Sequence, residues 1–191
     1  MMEYLAFFRA SEELEQELKS FREGLVKGRK EEVYNFPSAG VHCTLFKAEA
    51  EEEDENSILN NLETIRKELG EEGLVATASE LDLFAKNSLV LKLERTEALY
   101  KLHRGIFVSF LPYIIKGSAY MDRELLTYFG DNYSPHISLA RFRAADYVPE
   151  EWQEERTKFS GREFQVRDFC LVKADKKAGE EWREVWREAE F

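Results

Sequence analysis

The chain has 191 residues, and its 27 Lys plus Arg against 38 Asp plus Glu give a formal net charge of −11 at pH 7. A hydrophobic content of 43% is enough for a packed core, and we expect a single domain over residues 1–191. Because an acidic chain repels long polyphosphates, we expect no binding of long nucleic acid, whereas a short nucleotide in a locally positive cleft is compatible with this charge.

The N-terminal half alternates between strand and helix periodicity. Residues 4–10 predict a buried strand that ends at Ser11, a residue type suited to cap a helix. A second strand, GVHCTLF, follows the turn at 37–40, and the acidic run at 49–56 predicts a solvated loop. Two helices share an apolar stripe with steps of four, three and four residues, formed by Leu14, Leu18, Phe21 and Leu25 in the first and by Ile58, Leu62, Ile65 and Leu69 in the second.

The rest of the chain predicts more strands than helices. Thr96 is placed to cap a third helix, whose apolar residues run from Leu99 to Phe110. Helices separated by strand pairs indicate an α+β fold, and the absence of a linker between the halves predicts two lobes of one domain. Short helices are predicted at 121–129 and from Pro149 to about Phe159, and strands at 74–84, 88–94, around His136, at 163–174 and at 180–191.

Targeting signals are not evident in the sequence. The opening MMEYLAFFRASEEL lacks the basic start and apolar core of a signal peptide, and no run of 18 apolar residues occurs. Cys43 and Cys170 are too few and too far apart for a disulfide framework. We therefore expect a cytoplasmic protein that does not contact membranes.

Two of the three histidines occupy the same six-residue frame. His42 in AGVHCTLFKA and His136 in YSPHISLARF each begin the pattern His-x-Thr/Ser-Leu-x-Lys/Arg. Ordinary residue usage gives this frame about once per thousand histidines. Since a strand alternates its side chains, His42 and Thr44 share one face, as do His136 and Ser138. Strict alternation puts the last residues of the frame, Lys47 and Arg141, on the opposite face.

This pairing suits chemistry at a phosphate. Side chains two residues apart on a strand are about 6.5–7 Å apart, a span that a phosphate can bridge between an imidazole and a hydroxyl. Two such strands facing each other would put one His on each side of the phosphorus. Imidazole, with a pKa near 6.5, can act as acid or base at neutral pH. Opening a 2′,3′-cyclic phosphate needs such a pair, because a water must lose a proton while a ribose oxygen gains one.

The duplicated His-x-Thr/Ser-Leu resembles the signature of the 2H phosphoesterase superfamily, which includes the RNA 2′,3′-cyclic phosphodiesterases once named 2′-5′ RNA ligases. SPHISLAR is similar to the second motif of that family, including its Arg, here Arg141. After the first motif this chain continues FKAEAEEED, where the phosphodiesterase branch has an apolar and glycine stretch, so the substrate branch stays open. The resemblance extends along the chain, from EYLAFFRASEELEQELKSF through LVATASELDLFAKNSLVLKLE to FQVRDFCLVKADKKAGEEWREVWREAEF.

The resemblance implies a bilobal α+β fold, with two antiparallel sheets facing across a groove and helices outside. It also implies a phosphodiesterase that opens a 2′,3′-cyclic phosphate, or a related 2′-5′ linkage, on a nucleotide or short RNA end. His42 and His136 would be catalytic, and Thr44, Ser138 and Arg141 would bind phosphate. The family needs no metal, and we expect no cofactor and a monomer.

Other uses of the paired histidines stay open from sequence alone. A zinc site needs a third ligand, and neither motif offers an acidic or Cys neighbour on the histidine face. The chain could also be a nucleotide-binding 2H-like module with little or no turnover, or an interaction protein with structural histidines. Tyr133 and Phe36 flank the motifs and, with Lys47, are candidates to line the groove. His103 in KLHRGIF lies among apolar residues and is predicted at the edge of the core.

Overall fold

A computed structural model describes residues 1–29, 32–33, 41–69, 74–115, 132–175 and 181–190. None of the helices in these ranges is long and apolar enough to cross a membrane. In chain order the elements are β1 (Met2–Arg9), α1 (Glu12–Val26), β2 (His42–Ala50), α2 (Glu55–Leu69), β3 (Val75–Phe84), β4 (Ser88–Leu93), α3 (Glu97–Phe110), β5 (His136–Arg141), β6 (Glu163–Gln165), β7 (Arg167–Ala174) and β8 (Arg183–Glu190).

The strands form an antiparallel sheet in the order β6-β3-β4-β5-β2-β1-β7-β8. Its two four-stranded halves meet between β5 and β2, where a single residue pair, Cys43 with Ile137, is in register. The expected α+β fold with antiparallel pairing is therefore confirmed. The two expected sheets are joined edge to edge through this one pair, so that the strand order is continuous.

Helices pack against one face of the sheet. The apolar stripes face this side, where Phe21, Leu25 and Ile65 are partly buried. The fully buried residues are Leu14 and Leu18 of α1, Ile58 and Leu62 of α2, and Leu99, Leu102, Ile106 and Phe110 of α3. Each such side chain contributes roughly 1.5–3 kcal/mol to folding. Strand β1 is buried on both faces, because Tyr4, Ala6 and Phe8 join this core while Leu5 and Phe7 form a second cluster with Cys170 and Val172. This double burial explains the unbroken apolar run of β1.

Two predicted elements differ in the C-terminal third. The helix expected from Pro149 to about Phe159 is wrong: a 3-10 helix covers Glu150–Gln153, and turns follow as far as residue 161. After Pro149, only Trp152 and Phe159 are apolar and buried in this stretch, too few for a helical stripe. The strand expected at 163–174 is divided at Val166, because β6 pairs with β3 and β7 pairs with β1. The helix predicted at 121–129 lies outside the described residues.

The acidic run at 49–56 is more ordered than the expected loop. Strand β2 continues to Ala50, a 3-10 helix covers Glu52–Asp54, and α2 begins at Glu55. Lys173 on β7 reaches two of its carboxylates, with Nζ 2.7 Å from Glu52 and 2.6 Å from Glu55. Part of the negative charge of the acidic run is therefore paired with Lys173.

The first and third helices provide a matched test of capping. Thr96 Oγ1 accepts a hydrogen bond from the backbone N–H of Leu99 at 3.2 Å, whereas the Ser11 side chain makes no capping hydrogen bond. We expect Thr96→Ala to lower the free energy of unfolding by about 1 kcal/mol, because it leaves that N–H without its cap. Ser11→Ala should have a much smaller effect. Urea unfolding of both variants checks this, and equal losses would contradict it.

Candidate active site

The two histidine motifs lie on neighbouring strands. His42 is the first residue of β2 and His136 is the first residue of β5. Since Cys43 pairs with Ile137 and the strands are antiparallel, His42 comes alongside Ser138 and Thr44 alongside His136. Neighbouring strands are about 4.8 Å apart. The fold thus brings together the four residues that sequence selected, side by side in one sheet.

These four side chains point away from the helices. The residues between them, Cys43, Leu45, Ile137 and Leu139, are at most 1% exposed and face the core. His42, Thr44, His136 and Ser138 are half-buried on the other face, which we call the histidine face. An alternation this strict is the expected consequence of the two-residue period of a strand.

A β-bulge follows the hydroxyl residue in each motif. On β1, Phe7 pairs with Thr44 but Ala6 pairs with Phe46, so Leu45 is the extra residue. In β5 the extra residue is Leu139, because Val90 of β4 pairs with Ser138 and Leu89 pairs with Ala140. A bulge changes the side-chain alternation beyond it by one residue.

Because of the bulges, the two basic residues of the frames lie on a different face of the sheet from the one predicted by strict alternation. Strict alternation predicted Lys47 and Arg141 on the face opposite the histidines, and that prediction is wrong. Beyond the bulge, Lys47 pairs with Leu5 and is half-buried, whereas Arg141 pairs with Ser88 and is exposed, which puts both side chains on the histidine face. The first, third and sixth residues of each frame therefore share one surface.

An aromatic ring contacts each imidazole. The Phe7 ring lies 4.7 Å from that of His42, and the Phe84 ring lies 4.4 Å from that of His136, centroid to centroid. These apolar neighbours shield one side of each imidazole from water. Neither residue was predicted from the sequence, since Phe7 lies within the unbroken apolar run of β1 and Phe84 lies two strands from His136.

His136 is held as a neutral imidazole. Its Nδ1 lies 2.9 Å from the backbone carbonyl of Ser134, and since a carbonyl only accepts, Nδ1 carries the hydrogen. Burial lowers the pKa of His136, and the hydrogen bond to Ser134 only partly offsets this. In the neutral ring the lone pair is therefore on Nε2, the atom that can accept a proton.

Within the described residues, cations lie on the histidine face within one strand of the motifs. Arg9 pairs with His42 and Lys92 pairs with His136, in addition to Lys47 and Arg141. Acidic groups lie close to several of these cations: Lys47 lies 3.0 Å from Glu3, Lys92 lies 3.2 Å from Asp82, and Arg9 lies 3.8 Å from Asp168. The site of an acidic protein is thus locally rich in positive charge.

The aromatic candidates for the groove have different positions. Tyr133 is 4% exposed and packs on the core side of the sheet, where its ring stacks on His103 with centroids 3.8 Å apart. Tyr133 therefore does not line the histidine face, and the expectation that it lines the groove is wrong. Because Tyr133 precedes β5, the alternation of that strand does not determine on which side of the sheet its ring lies. Phe36 lies outside the described residues.

The histidines lack the neighbours of a metal site in the described part of the chain. There, no group of three or more His, Cys, Asp or Glu side chains is placed to hold a metal ion. Within these residues, neither His42 nor His136 has the further ligands that a zinc site requires.

The fold is shared with several solved structures. TT0787 of Thermus thermophilus is 21% identical, with a TM-score of 0.65 over 99% of this chain and 97% of that chain. E. coli LigT complexed with 3'-AMP is 15% identical, with a TM-score of 0.61 over 98% of this chain and 96% of LigT. Usb1 of Kluyveromyces marxianus is 10% identical, with a TM-score of 0.50 over 96% and 97% of the two chains.

Sequence comparison gives the family. No curated protein sequence matches the chain significantly. The family model of the 2'-5' RNA ligase superfamily matches residues 10–178, which include both histidine motifs. Because that match spans most of the chain and the fold agrees with it, the chain belongs to the 2'-5' RNA ligase superfamily, a family of 2H phosphoesterases.

Proposed function

We propose that this protein is a metal-independent phosphodiesterase that hydrolyses a 2′,3′-cyclic phosphate, or a related 2′-5′ linkage, on a nucleotide or short RNA end. The observation that carries this proposal is the register at Cys43 and Ile137, which puts two imidazoles and two hydroxyls on one face. We also propose that it acts as a cytoplasmic monomer of one domain, without a cofactor.

His136 is the proposed general base and His42 the proposed general acid. A water oxygen attacks phosphorus while its proton passes to Nε2 of His136, and the bond from phosphorus to one ribose oxygen breaks. His42 donates a proton to that leaving oxygen. The neutral state of His136, with its hydrogen on Nδ1, supports this assignment, because the lowered pKa keeps Nε2 available at pH 7.

Thr44, Ser138 and Arg141 are the proposed phosphate ligands. Two hydroxyls and an exposed guanidinium on one surface can donate to the non-bridging oxygens, whose negative charge grows as phosphorus becomes pentacoordinate. Lys47 lies on the same face but is paired with Glu3, so we assign it a smaller part. Each donor favours the transition state because it is already in place before the reaction.

A nucleotide-binding module with little or no turnover is the alternative. The acidic continuation of the first motif, and the pairing of Lys47 with Glu3, favour it, since they reduce the positive charge near Thr44. E. coli LigT has been crystallised with 3'-AMP, with ATP and with NADP+. Under this alternative the protein binds such nucleotides but does not hydrolyse cyclic phosphates in the presence of EDTA.

Loss of either imidazole should abolish most of the activity. We expect His42→Ala and His136→Ala each to lower kcat about 10²–10⁴-fold on a nucleoside 2′,3′-cyclic phosphate. The double variant should be little worse than either single one, because acid and base act as a unit. Steady-state kinetics with EDTA present measures this, and near-normal turnover in either single variant contradicts the mechanism.

The lowered pKa of His136 predicts the pH dependence of the activity. Because burial lowers the pKa of His136, the base stays unprotonated below the ordinary imidazole pKa of about 6.5. The acid limb of kcat/KM should therefore lie below pH 6.5, as the sign of the shift requires. His136→Gln should remove that limb from the residual activity, whereas an acid limb that remains would assign the base to another group.

The hydroxyls should matter less than the imidazoles. Thr44→Val and Ser138→Ala each remove one donor to phosphate, so we expect kcat to fall about 10–10³-fold with the pH profile unchanged. Thr77→Val, a half-buried Thr on β3, is the matched control and should leave kcat unchanged. A shifted pH optimum in Thr44→Val would show that Thr44 tunes a histidine instead of binding phosphate.

Binding should depend only weakly on salt and on RNA length. With about one to three phosphate contacts, log affinity for single strands should fall with log salt at a slope of about 0.7 per contact. Fluorescence titration with a dinucleotide and a 20-nucleotide RNA at several salt concentrations measures this, and we expect similar affinities. A much tighter long RNA with a slope implying six or more contacts would overturn this expectation, and it would point to the basic segment at 19–30.

A further inference from the structure

A buried polar cluster lies directly beneath the first motif, on the core side of β2. It consists of Cys43, His103 on α3 and Tyr133, which are 0%, 0% and 4% exposed. The rings of His103 and Tyr133 are nearly parallel, at 5° and 3.8 Å. The Tyr133 hydroxyl lies 3.6 Å from the sulfur of Cys43. None of these side chains is on the histidine face.

The cluster holds the backbone where β2 bulges. His103 Nδ1 lies 2.7 Å from the carbonyl oxygen of Leu45, the extra residue of the bulge, and Tyr133 donates to the carbonyl oxygen of Thr44 at 3.2 Å. Because both acceptors are carbonyls, His103 carries its hydrogen on Nδ1. A bulge leaves ladder groups unpaired, and buried carbonyls need a partner. Two side-chain donors therefore bind the two consecutive carbonyls that follow Cys43.

The same cluster lies next to the second motif. Cys43 pairs with Ile137, the residue after His136, and both side chains are fully buried on the core side. Tyr133 itself precedes His136 by only three residues. One small cluster thus contacts the backbone of Thr44 and Leu45 and lies within three residues of His136 in the chain.

Burial disfavours the charged form of all three groups. Burial lowers the pKa of His103, raises that of Cys43 to about 12 and raises that of Tyr133 well above its ordinary value. The cluster therefore acts through hydrogen bonds and packing.

We propose that His103 and Tyr133 are positioning residues, which fix the bulge at Leu45 and so aim the Thr44 hydroxyl and the Lys47 side chain at the phosphate. The inference rests on the proposed function, since it assigns those two side chains to phosphate binding. An apolar pair of the same shape would fill this part of the core without the desolvation of three polar groups. Such a pair would remove the side-chain donors that His103 and Tyr133 direct at the carbonyls of Leu45 and Thr44, and would leave the bulge freer to shift.

The test compares variants that keep or remove each donor. His103→Leu keeps the bulk but loses the hydrogen bond to Leu45, whereas His103→Asn offers an amide N–H near the position of Nδ1. Tyr133→Phe keeps the stacked ring and loses the hydroxyl. We expect His103→Leu and Tyr133→Phe each to lower kcat up to about 10²-fold, with KM little changed. His103→Asn should recover much of the loss. Ile106→Val, a buried methyl deletion one turn along α3, should lower stability without changing kcat.

A double-mutant cycle distinguishes positioning from general destabilisation. In the His103→Leu background, Thr44→Val should cost much less than it does in the wild type, because the hydroxyl is already misplaced. Ser138→Ala, in the motif that His103 does not touch, should cost the same in both backgrounds. Equal and additive losses for Thr44 and Ser138, or unchanged kcat in folded His103→Leu, would overturn the proposal.

A readout independent of turnover separates this inference from the proposed function. Backbone NMR of His103→Leu should show shifts concentrated at 43–47, with residues 138–141 much less affected. If the wild type hydrolyses no cyclic phosphate, the proposed function fails while these shifts still test the bulge. If it turns over but the shifts spread evenly over both motifs, the positioning role fails alone.

Discussion

The pairing of Cys43 with Ile137 is the constraint on which the candidate site depends. It is the one described register pair between the two halves of the sheet, and it lies at the centre of both motifs. Antiparallel neighbours are related by a local two-fold axis, so two copies of one frame on such strands place His beside hydroxyl on both sides. A slip by one residue would move one motif's side chains into the core. Full burial of Cys43 and Ile137 opposes such a slip.

The bulges explain why the frame has six residues. Without them, a basic residue two or four positions after the hydroxyl would reach the histidine face, and one three positions after it would not. The extra residues Leu45 and Leu139 change that alternation at equivalent points of the two strands. Each Leu remains buried, which anchors the bulge to the core. The duplicated sequence frame therefore encodes a duplicated backbone irregularity as well as duplicated side chains.

Sequence reasoning succeeded where the signal is local. The stripes of α1, α2 and α3 and the alternation around His42 and His136 depend only on neighbours along the chain, and the structure reproduces them. The bulges were missed because they are defined by the partner strands β1 and β4, which no local pattern reveals. Phe7 was missed for a related reason: β1 is apolar on both faces, so its sequence does not show which residues face His42. The side of Tyr133 likewise depends on His103, 30 residues away in sequence.

The proposed hydrolysis needs one acid and one base, whereas the two histidine frames are nearly identical in sequence and backbone. The residues around the two histidines must therefore make them different. His136 is bound at Nδ1 by the carbonyl of Ser134, is shielded by Phe84 and lies beside Lys92. His42 lies beside Phe7 and Arg9 instead. The surroundings of the two imidazoles therefore differ although the backbone repeats. The duplication supplies the two-sided geometry, and the residues of β1, β3 and β4 supply the difference in surroundings that the proposed acid and base roles require.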